Sequence, residues 1–106
     1  MSTIDLSPMQ RDVLRDVLTH HASDFRSAAV YGSRAQDRAR PGSDVDLAFY
    51  GVTSPDLIGR IDLDLMDSDL SIFWNLTVYD EIRDPAFKRQ VDRWAVPFFT
   101  AADAPA

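Results

Sequence analysis

Val30-Tyr31-Gly32-Ser33-Arg34 reads as a strand that ends on Gly-Ser and opens into a helix, and ten residues separate Ser33 from the run Asp44-Val45-Asp46 at the head of a second strand. Glycine lets a bulky anion approach the backbone, the free N–H groups of a helix start carry partial positive charge, and the Ser33 hydroxyl adds a donor. The first segment thus predicts a triphosphate cradle. Residues two apart on a strand point to the same side, so Asp44 and Asp46 are expected to project together. Two carboxylates so placed repel unless a cation joins them, and oxygen ligands of this kind suit Mg²⁺. Each piece alone is an ordinary strand end; the fixed spacing is what makes them one constellation.

Around this centre, Ser7-Pro8, Ser54-Pro55 and Asp84-Pro85 each offer a side-chain oxygen for an N-cap followed by proline at the first helical position. Three helices are expected to start there. The first carries Met9, Val13, Leu14, Val17 and Leu18 at helical spacing, with Gln10 placed for a capping box, and should run to about His21. Leu57, Ile58, Ile61 and Leu65 make the stripe of the second, and Phe87, Val91 and Trp94 that of the third. Strand character falls on residues 27–31, 45–50 and 70–79, the last through the alternation of Leu70, Ile72, Trp74, Leu76 and Val78. The expected fold is α+β, a small mixed sheet with helices packed on one face. Residues 1–99 are read as one domain and residues 100–106 as a disordered tail.

At 106 residues and 45% hydrophobic content the chain has the size and balance of one globular domain. It has no cysteine, which excludes a disulfide framework, a thiolate zinc site and a cysteine nucleophile. A formal net charge of −6, from 17 acidic and 11 basic residues, argues against tracking a nucleic-acid backbone and suits a metal site or a basic protein partner. No run is long and apolar enough for a membrane span and the first residues lack the features of a secretion signal, so a cytoplasmic address is expected.

The spacing Gly-Ser, ten residues, Asp-x-Asp resembles the signature of the nucleotidyltransferase superfamily related to DNA polymerase β. The likeness to its short form, the minimal nucleotidyltransferases, covers the chain from about Val13 to Phe99 and includes Gly32-Ser33-Arg34-Ala35 and Ser43-Asp44-Val45-Asp46-Leu47-Ala48. It implies a reaction in which an acceptor hydroxyl attacks the α-phosphate of a nucleoside triphosphate and pyrophosphate leaves, with ATP as substrate. Under it Asp44 and Asp46 are Mg²⁺ ligands, Gly32 and Ser33 bind phosphate, and Arg34 is a candidate triphosphate contact. Arg38 and Arg40 are equally well read as solvated loop charges.

The family pattern has a third carboxylate on the next strand. Asn75-Leu76-Thr77-Val78-Tyr79-Asp80-Glu81-Ile82, followed by Asp84-Pro85 and Val91-Asp92-Arg93, resembles the family's third strand and last helix without a gap, and that register puts Asn75 at the carboxylate position. An amide offers an oxygen but no charge, and cannot act as a base near neutral pH. Asp69 is the other candidate, although it would lie about 20 Å farther along a continuous strand. His20 and His21 suit the negative end of a helix dipole better than catalysis. Trp74, Trp94, Phe98 and Phe99 are read as core or interface, with Val96-Pro97-Phe98-Phe99 a candidate patch for a partner.

Larger relatives carry a second domain for the acceptor, which this length leaves no room for, so the acceptor is expected from a partner. Minimal nucleotidyltransferases commonly pair with a helical HEPN protein, often a ribonuclease toxin, and act as its antitoxin by transferring AMP to one of its tyrosines. The resemblance therefore implies a HEPN partner. A nucleotide-binding antitoxin that acts by occupancy, with transfer crippled by Asn75, is the alternative; nucleotidylation of a small molecule is a third.

Overall fold

The structure is a computed structural model and describes residues 4–103. The chain runs α1 (Pro8–His20), β1 (Ser27–Tyr31), β2 (Val45–Tyr50), α2 (Leu57–Met66), β3 (Trp74–Val78), α3 (Pro85–Trp94) and β4 (Val96–Thr100), with short 3₁₀ turns between. The four strands form one mixed sheet in the order β3-β2-β1-β4. β1 is antiparallel to β2 and β4, whereas β2 and β3 are parallel and are joined across α2. This is the expected α+β architecture with its small mixed sheet, but only α1 and α2 cover one face; α3 lies on the other.

In β1, β2 and β3, strand parity divides the side chains between two faces. Val30 of β1, Val45, Leu47 and Phe49 of β2 and Leu76 of β3 face the main core, where Leu14, Val17 and Leu18 of α1 and Leu57, Ile61 and Leu65 of α2 cover them. Residues of the other parity, Tyr31, Asp46 and Asn75, are register partners in one row across three strands. α3 reaches that second face: the Phe87 ring meets Tyr31 at 5.8 Å, and the Tyr79 hydroxyl donates to Asp92 at 2.5 Å.

The helix starts follow local chemistry. Ser7 and Gln10 form the reciprocal capping box of α1, and Asp84 accepts from the Ala86 N–H at the head of α3. Ser54-Pro55 does not open α2, which starts at Leu57. The Ser54 hydroxyl instead donates to Asp56 and accepts from Arg60, whose guanidinium also pairs with Asp24 at 2.7 Å, so a charged cluster takes the oxygen a cap would need.

Two boundaries move. β3 is confined to Trp74–Val78, because the Leu70 N–H is tied back to the Ser68 hydroxyl and the segment between them turns before pairing begins. Val96–Thr100 is a strand on β1, not an open patch. Phe98 and Phe99 are buried by the chain's own core, Phe99 at 5.7 Å from Phe25, and Pro97 is tolerated because β4 is an edge strand. Of the tail expected from residue 100 on, Thr100 ends β4 and Ala101–Asp103 forms a 3₁₀ turn; residues 104–106 lie outside the described residues. Among the described residues no helix is long and apolar enough to cross a membrane.

Candidate active site

The site lies where β1 ends and β2 and β3 begin. β1 delivers the chain to Gly32, whose φ of +74° is the left-handed conformation that glycine adopts without penalty. A Cβ on Gly32 would stand 2.2 Å from Oδ2 of Asp46, so the Asp46 carboxylate occupies the space that the missing side chain leaves. The Gly-Ser turn and the Asp-x-Asp pair are thereby in direct contact, as their spacing predicts.

Gly32–Ala35 is one 3₁₀ turn rather than a longer helix. Asp37 closes it at a φ of +56°, which lets the Arg38 N–H return to the Ser33 carbonyl at 3.1 Å alongside the Gln36 N–H at 3.2 Å. The Ser33 hydroxyl takes no hydrogen-bond partner among the described residues and is half-buried beside Gly32.

Asp44 immediately precedes β2 and is exposed, while Asp46 is half-buried inside the strand. Asn75 is the register partner of Asp46 on β3, and its side-chain Nδ2 donates to Asp46 Oδ1 at 2.8 Å and to Asp44 Oδ2 at 3.2 Å. One amide thus bridges two carboxylates that would otherwise repel. Burial pushes the Asp46 carboxyl above its ordinary range; the Asn75 hydrogen bond works against this and the Asp44 charge adds to it.

Tyr31 and Thr77 complete the face and were not singled out from the sequence. The Tyr31 hydroxyl lies 3.1 Å from the Thr77 hydroxyl, and burial raises the phenol's pKa, with the Thr77 hydrogen bond opposing and the Asp46 charge reinforcing the rise. The signal that finds them is register: Tyr31 sits opposite Asp46 in the antiparallel pair, and Thr77 is two residues on from Asn75.

Arg34 is a correction. It is only 4% exposed, and its guanidinium donates to the Ser43 carbonyl from Nε at 3.0 Å and Nη2 at 2.8 Å and to the Asp5 carbonyl from Nη1 at 2.7 Å. Its donors are directed into the protein, where they hold the Arg40–Ser43 loop and the N-terminal segment together, so it is an anchor behind the cradle and not a triphosphate contact. Asp69 is exposed in the bend after α2, ahead of β3, and does not join Asp44 and Asp46. His21 caps α1 and donates to Asp64 of α2 at 2.5 Å, and His20 bonds the Asp16 carbonyl, both remote from this face in role.

Asp44 Oδ2 and Asp46 Oδ1 converge on one point, now filled by an N–H₂ group, and a divalent cation needs the same convergence of oxygens. The donor set is two carboxylates and an amide; among the described residues no group of three or more His, Cys, Asp or Glu is gathered to hold a metal. These residues fit a single cation shared with a ligand's phosphates better than a pair of ions held by protein alone.

A family model described as polymerase beta, nucleotidyltransferase, matches residues 13–95, a span that contains the Gly32-Ser33 turn, Asp44, Asp46 and Asn75. The chain belongs to this nucleotidyltransferase family. Comparison with curated proteins finds no match.

Proposed function

We propose that the chain is an adenylyltransferase of the minimal nucleotidyltransferase kind, using ATP and Mg²⁺ and serving in the cytoplasm as antitoxin to a HEPN toxin to which it transfers AMP. The observation that carries the transfer reading is the contact of the Asp46 carboxylate with the Gly32 backbone, which sets a phosphate-accepting turn against a carboxylate pair. Gly32 and Ser33 would take the phosphates, and Asp44 and Asp46 would hold the cation. Bound Mg²⁺ supplies charge neutralisation and alignment of the attacking and leaving oxygens. Asn75 can rotate its amide to present an oxygen, but it carries no charge and takes no proton. The HEPN partner rests on the resemblance to minimal nucleotidyltransferases, with which the acidic balance of the chain is consistent.

A second reading has its own observation. Asn75 brings to both carboxylates an amide that donates to them and carries no charge, which favours a nucleotide-binding antitoxin that silences its partner by occupancy. Incubation with labelled ATP, Mg²⁺ and the protein encoded beside this chain decides between them. Label on the partner supports transfer; tight association without label supports occupancy; neither result sends the search to a small-molecule acceptor.

A further inference from the structure

The apolar run Val96-Pro97-Phe98-Phe99 is taken up by β4, whereas α2 leaves two large apolar side chains in solvent. Leu57, Ile61 and Leu65 are the buried stripe of this helix. Gly59, Leu63 and Met66, spaced i, i+4 and i+7, form a second stripe on the opposite side, with Leu63 65% and Met66 67% exposed. A Cβ on Gly59 would meet nothing within 4 Å and its φ is not left-handed, so nothing among the described residues calls for glycine at that place. The stripe therefore has an open backbone at its head and two long apolar side chains behind it.

Charge surrounds the stripe on both sides. At about 100° per residue, Asp62 lies on one flank and Asp64 and Asp67 on the other. The Trp74 indole N–H holds one oxygen of Asp62 at 2.6 Å and His21 one oxygen of Asp64 at 2.5 Å, which fixes where both carboxylates stand. Among the described residues none of the three is paired with Lys or Arg; Arg60, the one cation of α2, is taken by Asp24 and Asp56. Residues 61–82 contain no Lys or Arg at all. A second copy of this chain would set carboxylates against carboxylates here, and a nucleic acid would meet the same repulsion, whereas a cationic protein segment gains from both flanks.

We propose that the outer face of α2 docks an amphipathic helix of a partner protein, whose apolar side chains pack along Gly59, Leu63 and Met66 and whose flanking Lys or Arg side chains meet Asp62, Asp64 and Asp67. A helix suits the stripe because its ridge can settle against the bare Gly59 backbone while the longer side chains interdigitate. α2 covers the face of the sheet opposite the row Tyr31, Asp46 and Asn75, so the occupant leaves the candidate active site open. The surface stands on the exposure and charge of α2; only its assignment to the partner of the proposed function rests on that reading.

The probe is a synthetic helical peptide with a leucine stripe flanked by lysines, titrated into the full chain by fluorescence anisotropy beside a twin whose flanks are glutamates. The lysine peptide should bind at least about tenfold more tightly than the twin. Leu63→Gln/Met66→Gln should weaken it at least about tenfold, whereas Met9→Gln, which removes an exposed apolar group on α1, should change it less than about twofold. Gly59→Gln should raise the melting temperature of the free chain, since glutamine is the better helix former, yet weaken peptide binding at least about fivefold; a merely structural role would not move the two in opposite senses. No binding, equal binding of both peptides, or an equal loss in Met9→Gln overturns the proposal. So does self-association of the parent that Leu63→Gln/Met66→Gln abolishes, which would make the occupant a second copy. With the protein encoded beside this chain, association weakened by the same variants supports the proposal; association that they leave unchanged overturns it and leaves the partner reading standing. Peptide binding that depends on Leu63 and Met66, without association of the encoded neighbour, supports the surface and removes that reading.

Discussion

At Asn75 a single amide stands between two carboxylates, and the chemistry of the site turns on its neutrality. Asn75→Asp exchanges two donated hydrogen bonds for a third negative charge. Without Mg²⁺ the variant should be destabilised by about 1–3 kcal/mol, the usual cost of breaking such bonds and crowding like charges. Mg²⁺ should restore it and raise its melting temperature more than that of the parent, and AMP transfer to the partner should rise at least about tenfold, since an added general base alone is worth about 10²–10⁴. Thermal melts across a MgCl₂ titration and a labelled transfer assay measure both. Asn75→Asp without gain, together with Asp69→Asn abolishing transfer, would reverse the assignment of the third position. At Gly32 a side chain meets two obstacles, the left-handed φ and the Asp46 carboxylate. Gly32→Ala should cost about 1–3 kcal/mol from the backbone alone, with more from the displaced carboxylate. In urea unfolding, Gly32→Ala/Asp46→Ala should be less destabilised than the sum of the single variants, because the second change vacates the contested space. The triplet of Gly32, Asp44 and Asp46 was legible from sequence because backbone chemistry and strand parity dictate it. The inward turn of Arg34 was not, since nothing in the residues next to it reveals that the Ser43 and Asp5 carbonyls wait behind the turn.

Among the elements, the 3₁₀ turn Tyr79–Glu81 and α3 are fastened by the Tyr79 hydroxyl donating to Asp92, and this bond pushes the phenol's pKa up to about 12, with smaller contributions from the site's desolvation and neighbouring charges. A folded-state value raised above the ordinary 10 means the contribution is complete below about pH 10 and is lost as the pH climbs through about 12. Tyr79→Phe should therefore be less stable than the parent at neutral pH, and the gap between their melting temperatures should close above pH 10. An unchanging gap would show that the hydroxyl is not the tie. Legibility differed from element to element for physical reasons. α1 and α3 could be read because their caps are local, Ser7 with Gln10 and Asp84 with Ala86. α2 began later than its Ser-Pro signal because Arg60 and Asp56 claimed the Ser54 oxygen, an interaction one turn into the helix itself. β4 was missed because its Pro97 argues against a strand wherever a ladder bond is required, and only the sheet order reveals that Pro97 sits on an edge.

For the molecule as a whole, the site is a row across three strands, Tyr31, Asp46 and Asn75, and no single segment contains it. A ligand that bridges the row should stabilise the entire fold. Mg²⁺-ATP at about 100 times its dissociation constant should add about 2.7 kcal/mol to unfolding, and EDTA should abolish the gain if the carboxylates need the cation. Calorimetric melts with and without chelator test this. The parallel pairing of β2 with β3 carries one more consequence, which concerns time. Antiparallel β1 and β2 are neighbours in sequence, whereas β3 joins β2 in parallel through the crossover that carries α2, so its pairing is expected to form later. Asn75 is then the last of the row to arrive. Trp74 arrives with it, and its indole N–H is held by Asp62 of α2 at 2.6 Å, so its fluorescence, read in a Trp94→Phe background, marks the moment of docking. A core change such as Ile61→Ala, which touches no residue of the row, should delay that signal on refolding and delay the return of nucleotide binding by the same interval, making α2 the clock of the active site.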